Sequence, residues 1–183
     1  ELLQSDTITI DVNNGIQGQA AYHASTNTVF FQTVDEIIGY NAASELFHAF
    51  QDTYYGSYME DLESELTLNG IYGSGFSNIE FEEKFAHRVA GLVHNHSYTP
   101  IESMEGVDVW IYNLMADNNN IFPSTFSQAQ SNVYISYLQT FQQWNANAGD
   151  DYLPYAAPID YEGIPQYPAA LIEILNNSDC YED

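Results

Sequence analysis

The stretch from Ile37 to Tyr55, IIGYNAASELFHAFQDTYY, constrains this chain more than any other part of it. Drawn as a helix, it carries apolar side chains nearly all round (Ile37, Ile38, Ala42, Ala43, Leu46, Phe47, Ala49, Phe50), the mark of a helix buried on most sides. Its polar residues are not scattered. Asn41, Ser44, Glu45, His48 and Asp52 recur at helical spacing, so at about 100° per residue they share one narrow stripe. Buried polar groups need partners, so a carboxylate and an imidazole on adjacent turns call for a metal, a ligand, water or another side chain. Asp35 offers an N-cap with Ile37 and Ile38 opening the helix, and Gly56 can end it.

Strands precede this helix. Asp6 to Val12 alternates in period two and is rich in Thr and Ile, and Asn13-Asn14-Gly15 then turns the chain. Ala20 to His23 and Thr28 to Thr33 flank Ala24-Ser25-Thr26-Asn27, which predicts a hairpin. After the helix comes a connection, Glu60 to Gly75, with a short strand or turn expected at Leu66 to Tyr72. Ser77 to His96 reads as a second strong helix, capped by Ser77 or Asn78. Ile79, Ala86, Val89 and Val93 form its apolar seam, and Glu82 falls inside that seam where an apolar residue is expected. Glu80 and Glu83 lie off it, and Glu80 can pair with Lys84 one turn on. Ile101 to Met115 and Thr125 to Trp144 also carry helical spacing, separated by a turn at Asp117 to Pro123. Asn145 to Pro165 reads as an irregular loop, and Pro168 opens a last helix through Leu175.

The expected class is therefore α+β, a small N-terminal sheet followed by a mainly helical remainder, in one domain over 1–183. Composition bounds the partners. Two basic residues, Lys84 and Arg88, stand against 26 acidic ones, a net charge of −24. Such a chain repels nucleic-acid phosphates and anionic membranes, and no segment reaches the roughly 18 apolar residues of a membrane span. The acidic runs (Asp150-Asp151, Glu60 to Glu65) lack the spacing of a calcium loop and read as solvated surface. Cys180 is alone, so no disulfide within the chain holds the fold. The start at Glu-Leu-Leu, without Met or a basic stretch, fits a mature or trimmed protein, and acidity together with scarce Lys points to an exported or cell-surface protein of a bacterium. Asn95-His96-Ser97 and Asn176-Asn177-Ser178 match a glycosylation pattern too common to decide the compartment.

Ser44-Glu45-Leu46-Phe47-His48 resembles the His-Glu-x-x-His helix of the zincin metallopeptidases, and ELFHAFQ is close to that helix in many bacterial members. The strand-before-helix order is similar to the zincin arrangement, a small sheet over the active helix. The resemblance implies a Glu-type zincin: Glu45 as general base, His48 as a zinc ligand, and a third ligand on the second helix, where NIEFEEK resembles the family's motif. Glu82 takes that role, with Glu80 and Glu83 as alternates, and Asp52 and Asn41 support the ligands from behind. The chain departs from the pattern at Ser44, which stands where the family has its first His; a neutral hydroxyl is a poor zinc ligand.

The resemblance thus implies a metallopeptidase-like protein with weak or absent zinc and impaired or lost peptide hydrolysis. The alternative is a non-catalytic domain that binds a peptide or protein in the old cleft. His23 on the sheet is the nearest substitute ligand, while His87, His94 and His96 near the end of the second helix suit the helix dipole better. A third reading takes Glu45-x-x-His48 as half of a di-iron site, but Glu83-Lys-Phe-Ala-His87 has the wrong spacing for the other half.

Overall fold

The computed structural model describes residues 7–13, 15–16, 18–37, 39–56, 75–94, 104–147 and 166–177. The described elements are three strands and five α-helices in an α+β fold that is mostly helical. They belong to two compact units, one within 1–65 and one within 66–183. The expected features at Leu66 to Tyr72 and Asn95 to Ser97, the acidic runs, Cys180 and most of the Asn145 to Pro165 loop lie outside the described residues.

The first unit begins with β1 (Thr9–Val12), β2 (Ala20–His23) and β3 (Thr28–Phe31), in sheet order β1-β3-β2. β2 and β3 form the expected antiparallel hairpin, with Tyr22 opposite Val29. The turn between them is a single 3-10 turn, Ala24–Thr26, closed by Asn27 in the left-handed region at φ 46°, which Asn tolerates better than most residues. β1 runs parallel to β3, and all four of its residues are exposed. Its period-two pattern therefore marks a strand without marking a buried face: Ile10 and Val12 stay in solvent, and Ile8, just ahead of the strand, packs on the core.

Helix α1 spans Tyr40–Tyr55. The sequence places its start at Ile37, but Val34–Ile37 forms a separate 3-10 turn, and Gly39 at φ 69° breaks the helical path between them. A side chain at that φ would be strained, so the glycine sets the boundary. The far end matches expectation, with Gly56 at φ 71° just past Tyr55. Ala42 and Ala49 face the sheet and pack with Tyr22, Val29 and Phe31. The expectation of burial on most sides is too strong, because Tyr40, Ala43 and Leu46 are exposed.

The second unit is built on α2 (Phe76–His94), which packs against α3 (Val107–Ala116), α4 (Gln128–Asn147) and α5 (Ala169–Asn177). Its core is aromatic. Phe81 lies 4.9 Å from Tyr134 and 5.7 Å from Phe141 between ring centroids, and Phe85 lies 5.3 Å from Tyr134 and 6.0 Å from Phe122. Ile79, Ala86 and Val89 of the expected seam are buried, but Val93 is exposed, and Phe81 and Phe85 carry more of the packing than the seam does. Two asparagines at positive φ, Asn119 and Asn120, turn the chain after α3. Arg88 forks onto Asp108 and ties α2 to α3 with two charge-assisted hydrogen bonds.

Tyr134 is fully buried, and its hydroxyl is held protonated well above the ordinary 10.0, first by burial and then by the nearby Glu82 carboxylate. The folded chain therefore keeps a proton that the unfolded chain releases near pH 10, so this contribution is whole below pH 10 and is lost as pH rises beyond it. Urea unfolding at pH 9 to 11, followed by tryptophan fluorescence, reads the second unit, since both tryptophans (Trp110, Trp144) lie there. The natural chain should lose stability more steeply than Tyr134→Phe, by up to about 1.4 kcal/mol per pH unit. Equal slopes would contradict the assignment.

Candidate functional site

The polar stripe of α1 straddles two faces of the helix. Glu45 and Asp52 belong to the face that carries Ala42 and Ala49, and both reach Tyr22 of β2. The Tyr22 backbone N–H donates to Glu45 Oε2 at 2.7 Å, and its phenol donates to Asp52 Oδ2 at 2.9 Å. Tyr22 is thus held at both ends by carboxylates about two helical turns apart. Asn41 turns toward the start of the helix, where its Nδ2 donates to Glu36 Oε2 at 2.7 Å and Gln19 Oε1 at 3.3 Å.

Ser44 and His48 fall on the neighbouring face, together with Gln51 and Tyr55, and all four are buried. His48 Nδ1 lies 2.8 Å from Gln51 Oε1. A carboxamide oxygen only accepts, so this contact is a hydrogen bond when Nδ1 carries a proton. This is the way a ligating histidine is usually oriented, by a partner behind its other nitrogen. The sequence points to Asp52 and Asn41 for that support; the contact on His48 is made by Gln51. Its signal in the sequence was a polar residue one turn after His48, on the helix face of Ser44.

On α2 the three carboxylates have different surroundings. Glu82 is buried, and its Oε1 accepts the backbone N–H groups of Ala170 at 2.8 Å and Leu171 at 3.3 Å. These are among the first N–H groups of α5, which have no partner inside their own helix. Pro168 stands just ahead of α5 and offers no side-chain acceptor, so Glu82 acts as its cap from across the unit. The carboxylate inside the apolar seam is explained by that contact.

Glu83 is fully buried, with Oε1 3.1 Å from His87 Nε2 and Oε2 3.4 Å from Lys84 Nζ. Glu80 is partly exposed and pairs with Lys84 at 4.0 Å, as its spacing predicts. No family model, no curated protein and no solved structure matches the chain. The resemblance therefore rests on the motif residues themselves. The remaining candidates have ordinary surroundings. His23 is exposed on β2 with its ring edge against Phe30, centroids 4.9 Å apart, and His87 is the partner of Glu83 within α2. The side chains of His94 and His96 lie outside the described residues, and among those residues no helix is long and apolar enough to cross a membrane.

Proposed function

We propose that this chain is a metallopeptidase-like protein of zincin type whose metal site is degenerate, and that peptide hydrolysis is impaired or lost. The observation that carries the reading is His48: buried on α1, its Nδ1 2.8 Å from Gln51 Oε1, one turn from Ser44 on the same face. A histidine at position 44 would complete the pair of imidazoles that the family uses on such a helix. Exported or cell-surface location in a bacterium remains part of this reading, supported by the charge of −24.

His48 offers an imidazole of the kind that zinc accepts, and the resemblance implies a third ligand among the α2 carboxylates. The Glu83 oxygens already face His87 and Lys84, so a cation would compete with both, and Ser44 adds no charge to attract it. Glu82 holds the start of α5, which favours the alternates Glu80 and Glu83 as ligands. Zinc, when bound, would polarise a scissile carbonyl. Glu45 would take the proton of the attacking water and deliver it to the leaving amine.

A second reading is favoured by the contact at Tyr22. Glu45 spends its Oε2 on the sheet, an arrangement that suits a domain that binds peptides without cleaving them. The experiment that separates the two is hydrolysis of a mixed fluorogenic peptide library with added zinc. The natural chain is expected at background, Ser44→His above it, and Ser44→His with Glu45→Gln at background again. Turnover by the natural chain equal to that of Ser44→His contradicts the degenerate site; an inert Ser44→His favours the binding domain.

A further inference from the structure

Charge is divided unevenly between the two units. Eleven acidic residues and no Lys or Arg fall within 1–65, which gives that unit a charge of −11. The remaining 15 of the 26 acidic residues share 66–183 with both bases of the chain. Those bases are engaged there, Lys84 with Glu80 and Glu83, and Arg88 with Asp108. In the first unit neutral donors reach the carboxylates: Asp11 accepts the Val12 N–H, Glu36 the Asn41 amide, Glu45 the Tyr22 N–H and Asp52 the Tyr22 phenol. Asp52 also stands in the last turn of α1, which holds no basic residue and where the helix dipole disfavours a negative charge.

The packing that opposes this repulsion is slight. The sheet has three strands of four residues each, and the buried cluster that joins it to α1 is Tyr22, Val29, Phe31 and Ala49. Ile10 and Val12 of β1 stay exposed and add little. The second unit instead closes on packed rings, with Phe81 against Tyr134 and Phe141, and Phe85 against Tyr134. A small core leaves a small margin of stability.

We propose that the first unit folds conditionally: it is held together where dissolved salt screens its carboxylates and opens where salt is dilute, while the second unit stays folded in both. Like charges are closer in the compact form than in the expanded chain, so their repulsion lowers the stability of the fold. The range of that repulsion is set by salt. The Debye length is about 30 Å at 0.01 M and about 3 Å at 1 M. Glu45 and Asp52 lie about 10 Å apart along α1, inside the first length and outside the second. The effector is ionic strength, which any monovalent salt supplies. Because α1 carries Glu45 and His48, whatever chemistry that helix performs is confined to salt-rich surroundings. The inference stands without the peptidase reading.

The test is hydrogen exchange of the full chain at neutral pH, read by mass spectrometry in about 1 M and about 0.01 M sodium chloride. On dilution of the salt, protection in β3 and α1 should fall at least about tenfold, while α2 and α4 keep theirs within about threefold. Asp11→Lys with Asp35→Lys, both at exposed positions, raises the charge of the unit from −11 to −7 and should remove about half of the loss, on a logarithmic scale. Asp11→Glu with Asp35→Glu keeps the charge and should lose as much protection as the natural chain. Three results overturn the proposal. One is unchanged protection of the first unit in dilute salt, and another is an equal loss in both units. The third is a Lys variant with the full salt dependence of the natural chain, because salt would then act through apolar surface and not through charge. No arm contains zinc or a substrate, so failure here leaves the peptidase reading untouched, and an inert Ser44→His leaves this inference untouched.

Discussion

Replacing Ser44 by His should raise the affinity of the chain for zinc by at least about a hundredfold. The estimate is a lower bound, because loss of a group that merely supports a ligand already costs about 10–100-fold in metal affinity, and here a whole ligand is supplied. The local structure is ready for it. Residues 44 and 48 are one turn apart on a single buried face of α1, and His48 already meets Gln51 through Nδ1. Fluorescent-chelator competition at neutral pH measures the change. Gln51→Leu in the Ser44→His background should then give back about tenfold or more, because His48 loses the acceptor that fixes its ring. An unchanged zinc affinity in Ser44→His would mean that α1 does not present this face to a cation.

Glu82→Ala has the largest expected effect on stability. Two N–H groups at the start of α5, those of Ala170 and Leu171, lose a charged acceptor in a buried place, and both residues are themselves buried. Hydrogen bonds to charged groups contribute about 1.5–3 kcal/mol each, and the two share one oxygen, so the loss should be about 2–4 kcal/mol. Glu82→Gln keeps an acceptor oxygen and should lose less than half of that. Urea unfolding read by Trp110 and Trp144 measures both. In the Ser44→His background, Glu82→Ala should leave zinc affinity within about threefold, since a capping carboxylate does not touch the metal, whereas removal of a ligand costs far more. A large fall in zinc affinity with little change in stability would restore Glu82 as a ligand and remove its capping role.

Much of the first unit was legible because its signals are local. The hairpin Ala20–His23 with Thr28–Phe31 follows from two short β-prone runs about a polar turn, and Gly56 ends α1 through its own backbone freedom. The misplaced start of α1 has a local cause as well: Ile37 continues the apolar pattern, but Gly39 overrides it. What sequence could not carry are partners set by tertiary structure. Glu82 looked out of place on α2, and the pattern could flag it, yet its reason lies in Ala170 and Leu171, far along the chain. Glu45 reads as a base by motif, while its contact with the Tyr22 N–H depends on which way β2 presents its edge. Phe81 and Phe85 form an i, i+4 aromatic pair and are fully buried, on a face that the regular spacing of Ile79, Ala86 and Val89 does not mark.

The central claim is that His48 is the surviving half of a metal site on α1. Its most direct test is zinc content, by elemental analysis, of Ser44→His and of Ser44→His with His48→Ala, each purified without chelator. The account predicts about one zinc per chain in the first, as a single site holds, and none in the second. Equal zinc in the two proteins would contradict it, because the metal would then be held without His48.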